Sequence, residues 1–500
     1  MVKIMKRRTV IKSGLAALVL AGAAPYGLSL LGRKPFLSSA HAANGGFVTP
    51  LPIPPLLENL DKSGETARFS MEAQRGVMDF ISGKPTVTFG YNGNFLGPTI
   101  RVRNGQRFSI NAKNSLGQTT TLHWHGLHVP AQWDGGPRQP IADGSTWRPE
   151  FTIRQEAATL WYHPHAMGLT GEQVYHGLAG LFYIEDDFSD SLNIPKTYGV
   201  DDIPLVIQDR RFFNNGQFAY AQNMHDVMNG VIGNHMLVNG AEQPTLAVHA
   251  GLVRLRLLNG SNSSIYQIAF KDQRTFKVIA SDGGFLERPV AMNSIVLSAG
   301  ERAEIILDLA DTAPEDELIL LVDQMKGSRF EAMRIKVDRS AESTATLPSE
   351  LRSLDRIPES EASVVRGFTM ETMAMGGGRM GMGMMGRRLT INGKKMDINR
   401  IDEQVKLGST EIWEITNQSA MMMSMPHSMH LHDVQFQILS RNGQAPPSHE
   451  QGRKDTVLIM PGETVRIISR FRDYTGVYMY HCHLLEHEDD GMMGQFEVIS

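Results

Sequence analysis

The sequence predicts an all-β protein of three consecutive β-sandwich units. The first observation is a strand pattern that occurs three times. Gly105, Gly251 and Gly408 each open a run of alternating apolar and polar residues, and the runs end at Asn114, Asn259 and Asn417. Alternation with period two marks a half-buried strand stopped by a turn residue. The second observation is that another glycine leads a further strand later in each copy, at Gly144, Gly300 and Gly462. The third is composition: 48 glycines and 24 prolines in 500 residues suit short strands and turns, with few long amphipathic helices. The units are placed at 50–190, 200–340 and 365–500. The segment Asp338 to Ser363, rich in Ser, Glu and Pro, is read as the linker before the third.

Residues 1–42 precede the first unit. They hold seven Lys/Arg and no acid, then an apolar run from Leu15 to Leu31, then Ala40-His41-Ala42. This is the order of a cleaved export signal. Lys6-Arg7-Arg8-Thr9-Val10-Ile11-Lys12 is similar to a twin-arginine signal. The apolar run is broken by glycines and Pro25 and is short for a membrane span, so no span is expected after cleavage. The expected location is the periplasm. Without residues 1–42 the chain keeps 42 basic against 53 acidic residues, a balance that argues against nucleic acid as a partner. One cysteine excludes an internal disulfide, and a lone thiol in an oxidising compartment needs a reason to stay unpaired. A monomer is expected.

Histidine placement carries the chemistry. Eight of the 17 histidines form four His-x-His pairs: His123/His125, His163/His165, His430/His432 and His481/His483. Period two puts both members of a pair on one strand face, where they can aim at one metal cluster. His163 lies nineteen residues after Gly144, and His481 nineteen after Gly462, so these pairs occupy the same strand of two copies. The middle copy has Ser261-Asn262-Ser263-Ser264 after Asn259 and Leu320-Leu321-Val322 in the later strand. It is therefore read as a spacer between two metal-bearing units. Cys482 sits between His481 and His483, with His487 and Met492 a few positions on. One thiolate, imidazoles and a thioether suit a trigonal copper with a weak axial methionine. On a strand, Cys482 and its two neighbours point to opposite faces, so a redox metal on the sulfur would be linked through the backbone to the histidine cluster. His427 and His487, left over near the third and fourth pairs, complete the Cys482 site, and the other seven histidines (His41, His128, His176, His225, His235, His249 and His449) are read as surface or packing residues.

Together HWHG at 123–126, HPH at 163–165, HSMHLH at 427–432 and HCHLLEHEDDGMM at 481–493 resemble the four copper-binding stretches of the three-domain multicopper oxidases. Asp282-Gly283-Gly284, Leu257-Leu258-Asn259-Gly260 and the methionine-rich third unit are similar to bacterial periplasmic cuprous oxidases of the copper-efflux type. The resemblance implies cupredoxin-like Greek-key domains and four coppers. It implies that His427, Cys482, His487 and Met492 bind a mononuclear blue copper, and that His123 and His430 bind the single copper of a trinuclear cluster. It also implies that His125, His163 and His483 hold one of a coupled pair, and His165, His432 and His481 the other. Asp134 and Glu488 stand where the family has acids near the cluster, and they are the candidates for proton supply. Asp489 and Asp490 are read as solvated acids.

Seven methionines lie between Met370 and Met385, and a second group from Met421 to Met429 runs into His427. Thioethers are soft ligands that favour Cu(I). The resemblance places a substrate Cu(I) at Met370, Met375, Met423 and Met425, with Met where the family has Asp at 375 and 423. The expected activity is oxidation of Cu(I) to Cu(II) coupled to reduction of dioxygen to water, for copper tolerance. The alternatives are a laccase-like oxidase of phenols, Fe(II) or Mn(II), and a copper-storage protein.

Overall fold

The computed structural model describes residues 46–313, 316–342, 344–373, 388–419 and 425–500. The N-terminal signal segment and most of the methionine run therefore lie outside the described residues. The fold is nearly all β: the described residues form six sheets, two drawn from each of three successive stretches of chain. The first stretch runs from the strand Thr66–Ile81 to the strand Gly180–Glu185, and the second from Asp202–Arg210 to Arg329–Glu342. The third runs from Val364–Met373 to Met493–Ile499. Each pair of sheets encloses its own apolar core. Phe69, Phe108 and Trp124 fill the first, Leu255, Ile268 and Leu320 the second, and Phe368, Trp413 and Phe496 the third.

The repeated sequence pattern has a common structural cause. Gly105, Gly251 and Gly408 have φ of 84°, 96° and 82°, a backbone that side chains with a Cβ rarely adopt. Each turn feeds a strand that pairs in parallel with the first strand of its unit: Thr66 with Arg107, Asp202 with Arg254, Val364 with Glu411. The asparagine that ends each run is buried. The side-chain amides of Asn114, Asn259 and Asn417 each donate to two backbone carbonyls, at 2.7–3.0 Å. Those carbonyls belong to the loop that follows the asparagine and to a more distant segment, so one amide closes each sandwich.

Two expectations need correction at this level. Residues 338–342 belong to the strand Arg329–Glu342, which pairs in parallel with Thr245–Ala250, so the linker starts later than its composition suggests. The His-x-His pairs are also less uniform than one strand face implies. Only His123–His125 is wholly within a strand, while His165, His432 and His483 stand just past strand ends. Pro164, which has no N–H to give a ladder, follows the end of the strand Ala158–His163.

The units are locked together by buried polar contacts. Between the first and second, the Arg256 guanidinium, held by both oxygens of Asp202 in its own unit, donates to Thr159 Oγ1 at 2.9 Å and lies over the Tyr183 ring. Between the second and third, Glu486 accepts from Asn262 Nδ2 at 3.0 Å and Val231 N at 3.2 Å, and also from the Ser263 hydroxyl. Among the described residues no helix is long and apolar enough to cross a membrane.

Candidate metal centre

The short strand His123–His125 pairs with the end of Ala158–His163, which sets His123 opposite His163. In the third unit His430 pairs with His481. The two histidine-bearing sheets meet at the seam between the first and third units, where the His123 ring stacks on His432 at 3.9 Å and His125 on His430 at 3.7 Å. All eight paired histidines are at most 1% exposed. Burial holds them below the ordinary imidazole range, so they are neutral and offer lone pairs.

The hydrogen-bond partners fix which nitrogen is available. His432 Nδ1 donates to Asp134 Oδ2 at 2.8 Å. His481 Nδ1 donates to the Cys482 carbonyl at 3.1 Å, and the Glu488 carboxyl lies against two rings, with Oε1 3.2 Å from His165 Nδ1 and Oε2 3.2 Å from His481 Nδ1. The Nε2 atoms of His165 and His432 then each stand 3.2 Å from His481 Nε2. Protons on Nδ1 leave three Nε2 lone pairs facing one another in a dry interior. That arrangement is repulsive unless a cation lies among them. These three nitrogens fall within 4.8 Å of each other.

His125 is turned the other way. Its Nε2 donates to Asp455 Oδ1 at 3.0 Å, with Thr456 Oγ1 equally near, and its Nδ1 faces His163 Nε2 at 3.4 Å. His163 Nδ1 donates to the Pro164 carbonyl, so again two lone pairs converge. His483 packs at 4.8 Å from His125 and 5.4 Å from His163, and neither of its ring nitrogens has a hydrogen-bond partner. His123 and His430 donate from Nδ1 to the carbonyls of Asp134 and Asp455 at 2.9 Å, which leaves both Nε2 atoms buried without partners. Orphaned buried acceptors of this kind are what a metal ion satisfies.

The second site lies on the opposite face of the strand Gly476–Cys482. Cys482 Sγ is 3.5 Å from His427 Nδ1 and 3.6 Å from His487 Nδ1. All three residues are fully buried. Burial pushes the Cys482 thiol up to about 12, so the thiolate needs a cation beside it. Met492 is buried in the same core, and its carbonyl accepts the Cys482 N–H at 3.0 Å. His487 Nε2 donates to the Met228 carbonyl at 3.1 Å, and His427 Nε2 lies 3.1 Å from Thr372 Oγ1.

Asp134 and Glu488 both stand against the histidines. Burial pushes Asp134 up to about 6, against the pull of His123, and pushes Glu488 well above the carboxylate range. Asp489 is a correction. It is half-buried and hydrogen-bonded: it accepts the N–H groups of Thr170 and Gly171 at 3.0 and 2.8 Å, and burial pushes it up to about 7. Of the four methionines assigned to substrate, Met370 and Met425 lie in the apolar core of the third unit. Met375 and Met423 lie outside the described residues.

The middle unit is more than a spacer. Its Met228 carbonyl closes off His487, and its Arg302 pairs with Asp455 through two hydrogen bonds, at 2.7 and 2.6 Å. Lys454 Nζ lies 2.8 Å from Asp282 and 3.0 Å from Glu301, which extends a buried charge cluster behind His125. Sequence reasoning missed Asp455, Arg302 and Thr372. The Asp282-Gly283-Gly284 stretch was the only trace of that cluster in the motifs.

Three models of the multicopper oxidase family match residues 72–189, 201–332 and 369–500. The chain is 37% identical to the multicopper oxidase mco of Staphylococcus aureus over 446 residues, 89% of this chain and 92% of that one. It is 35% identical to the cell division protein FtsP of Escherichia coli over 501 residues, covering 99% and 98% of the two chains. Among solved structures, a laccase from Pediococcus acidilactici has a TM-score of 0.82 at 37% identity, with 90% of this chain and 94% of that one covered. The laccase-like multi-copper oxidase CueO from Ochrobactrum sp. has a TM-score of 0.81 at 38% identity, with 90% and 100% covered. With three matching units and a buried histidine and cysteine centre that calls for cations, the chain belongs to the multicopper oxidase family, oxidoreductases that use copper.

Proposed function

We propose that this oxidase takes electrons one at a time from Cu(I) and reduces dioxygen to water, for copper tolerance in the periplasm. On this reading it is a monomer exported by the twin-arginine route, with domains close to 50–190, 200–340 and 365–500. His427, Cys482, His487 and Met492 would hold one copper. His123 and His430 would hold a second, His125, His163 and His483 a third, and His165, His432 and His481 a fourth. Bound copper supplies one-electron redox chemistry at the cysteine site and oxygen reduction at the histidine cluster. The overall change is four Cu(I), one O2 and four protons giving four Cu(II) and two waters.

The chain's own residues do the rest. Cys482 is joined through the main chain to both His481 and His483, which provides two covalent routes between the sites. Asp134 and Glu488 place carboxyl oxygens against cluster histidines, and burial favours the protonated form of both, which is the form a proton donor needs. Interior packing excludes bulk water from both sites. The observation that carries the reading is the set of buried lone pairs on His165, His432 and His481 that face one another at 3.2 Å.

Cu(I) as donor is supported by thioether chemistry: Met425 and Met325 line a cleft between the second and third units, beside Pro426 and Leu484. A phenolic donor is the second reading, favoured by the relatives described as a laccase and as a laccase-like oxidase acting on lignin model compounds. Oxygen uptake tests both. Steady consumption with Cu(I), faster than with a phenol or Fe(II), is expected. Stoichiometric Cu(I) binding without uptake would instead indicate storage.

A further inference from the structure

The two imidazoles beside Cys482 are held in the same orientation by unlike partners. Each turns Nδ1 to the sulfur and Nε2 away from it. His487 Nε2 donates to a backbone carbonyl, Met228, carried by the helix Met224–Asn229 of the middle unit. His427 Nε2 instead meets a side chain, the Thr372 hydroxyl, at 3.1 Å. A neutral imidazole that offers Nδ1 to a metal carries its proton on Nε2, and a buried N–H needs an acceptor.

Thr372 is built to be that acceptor. It is 3% exposed, at the end of the strand Val364–Met373. Its backbone is paired on both sides, with Leu389 and with Ser419. The branched Cβ restricts the hydroxyl to few rotamers. Packing alone would be served equally by valine, so the hydroxyl is the informative feature.

We propose that Thr372 is a positioning residue of the cysteine site, its hydroxyl oxygen accepting the His427 Nε2–H and so fixing the ring with Nδ1 toward Cys482. A hydroxyl is a weaker acceptor than the carbonyl that serves His487. His427 is thereby the less electron-rich of the two imidazoles, and the strength of its bond to a metal is set by one side chain. This inference rests on the reading of Cys482 as a copper site.

The test uses the full chain with Thr372→Val, which keeps the shape, and Thr372→Ser, which keeps the hydroxyl. In copper-free protein, 15N NMR of His427 should show a single Nε2–H tautomer in the wild type and the serine variant, and a mixture in the valine variant. In copper-loaded protein, chelator competition should show the cysteine-site copper held about 10–100-fold more weakly in Thr372→Val, the range typical of lost outer-shell partners. Its reduction potential should rise, because a poorer donor ligand stabilises the oxidised metal less, and serine should reverse both changes. A valine variant with the wild-type tautomer, affinity and potential would overturn the proposal. If the wild type took up no copper at Cys482, the oxidase reading would fall instead, while the tautomer measurement would still decide the role of Thr372.

Discussion

Arg302→Met tests whether the middle unit helps to build the metal centre. Arg302 is fully buried and pairs with both oxygens of Asp455. Its remaining N–H groups donate to the carbonyls of Thr159, Gly300 and Asp282 at 3.1 Å. Methionine fills much of the volume but leaves the Asp455 carboxylate buried without its counter-charge. Breaking one side of a buried ion pair costs about 3–5 kcal/mol. Lys454 still neutralises Asp282, so the lower end of that range applies here. Without the two Arg302 hydrogen bonds the Asp455 carboxylate is no longer fixed in place, so its hold on His125 Nε2–H loosens.

Two readouts follow from one substitution. Urea unfolding of copper-free protein, followed by tryptophan fluorescence, should show the first transition moved to lower denaturant by an amount worth about 3 kcal/mol. Copper analysis after mild chelation should show loss from the histidine cluster before loss from the cysteine site. In the double variant Arg302→Met/Asp455→Leu the stability should largely return, since an apolar pair carries no stranded charge, while the copper defect should persist. An Arg302→Met protein within about 1 kcal/mol of wild type, with normal copper content, would refute the assignment of this pair to holding His125.

Other perturbations separate the remaining roles. Asp134→Asn and Glu488→Gln should leave copper content and blue colour intact but slow reoxidation of the reduced protein by about 10²–10⁴-fold in stopped flow; unchanged rates would make both acids structural. Met425→Leu, which costs little packing, should raise the KM for Cu(I) and leave phenol oxidation unchanged or faster; a parallel fall in both would indicate core damage. His128 of the first unit is clasped by Asp433 at 2.8 Å and Asp473 at 3.1 Å of the third. Burial pulls the imidazole down, but the Asp433 charge outweighs it and the group rises to about 9. Its stabilisation is therefore full below about pH 6.5 and lost as pH climbs through 9, at most about 3 kcal/mol, with part offset because burial also pushes Asp433 up. His128→Gln should flatten stability between those pH values, and a wild-type slope in that variant would contradict the clasp.

The fold and the buried histidine cluster were legible because both rest on periodic features. Glycines at positive φ and bridging asparagines recur at matching places in three copies, and paired histidines announce themselves by period two. What the sequence hid was the support behind the ligands. Met228 acts through its backbone carbonyl, which no side-chain pattern reveals. Asp455 and Arg302 are 153 positions apart, and each looks like an ordinary charge on a strand. Thr372 reads as one more strand residue near a methionine run. Asp489 was misjudged because an acid so soon after His487 suggested a solvated turn, whereas the first N–H groups of the helix Thr170–Tyr175 are aimed at it. The middle unit looked blank because it carries no paired histidines, although its contribution is charge and backbone.

The most direct test of the account is Cys482→Ser, loaded with copper and examined by visible absorption and metal analysis. Thiolate ligation is what gives this type of copper its colour, and the eight paired histidines are untouched by the substitution. The account predicts a colourless protein that retains roughly three coppers and consumes no oxygen with Cu(I). A blue band surviving in that variant would contradict it.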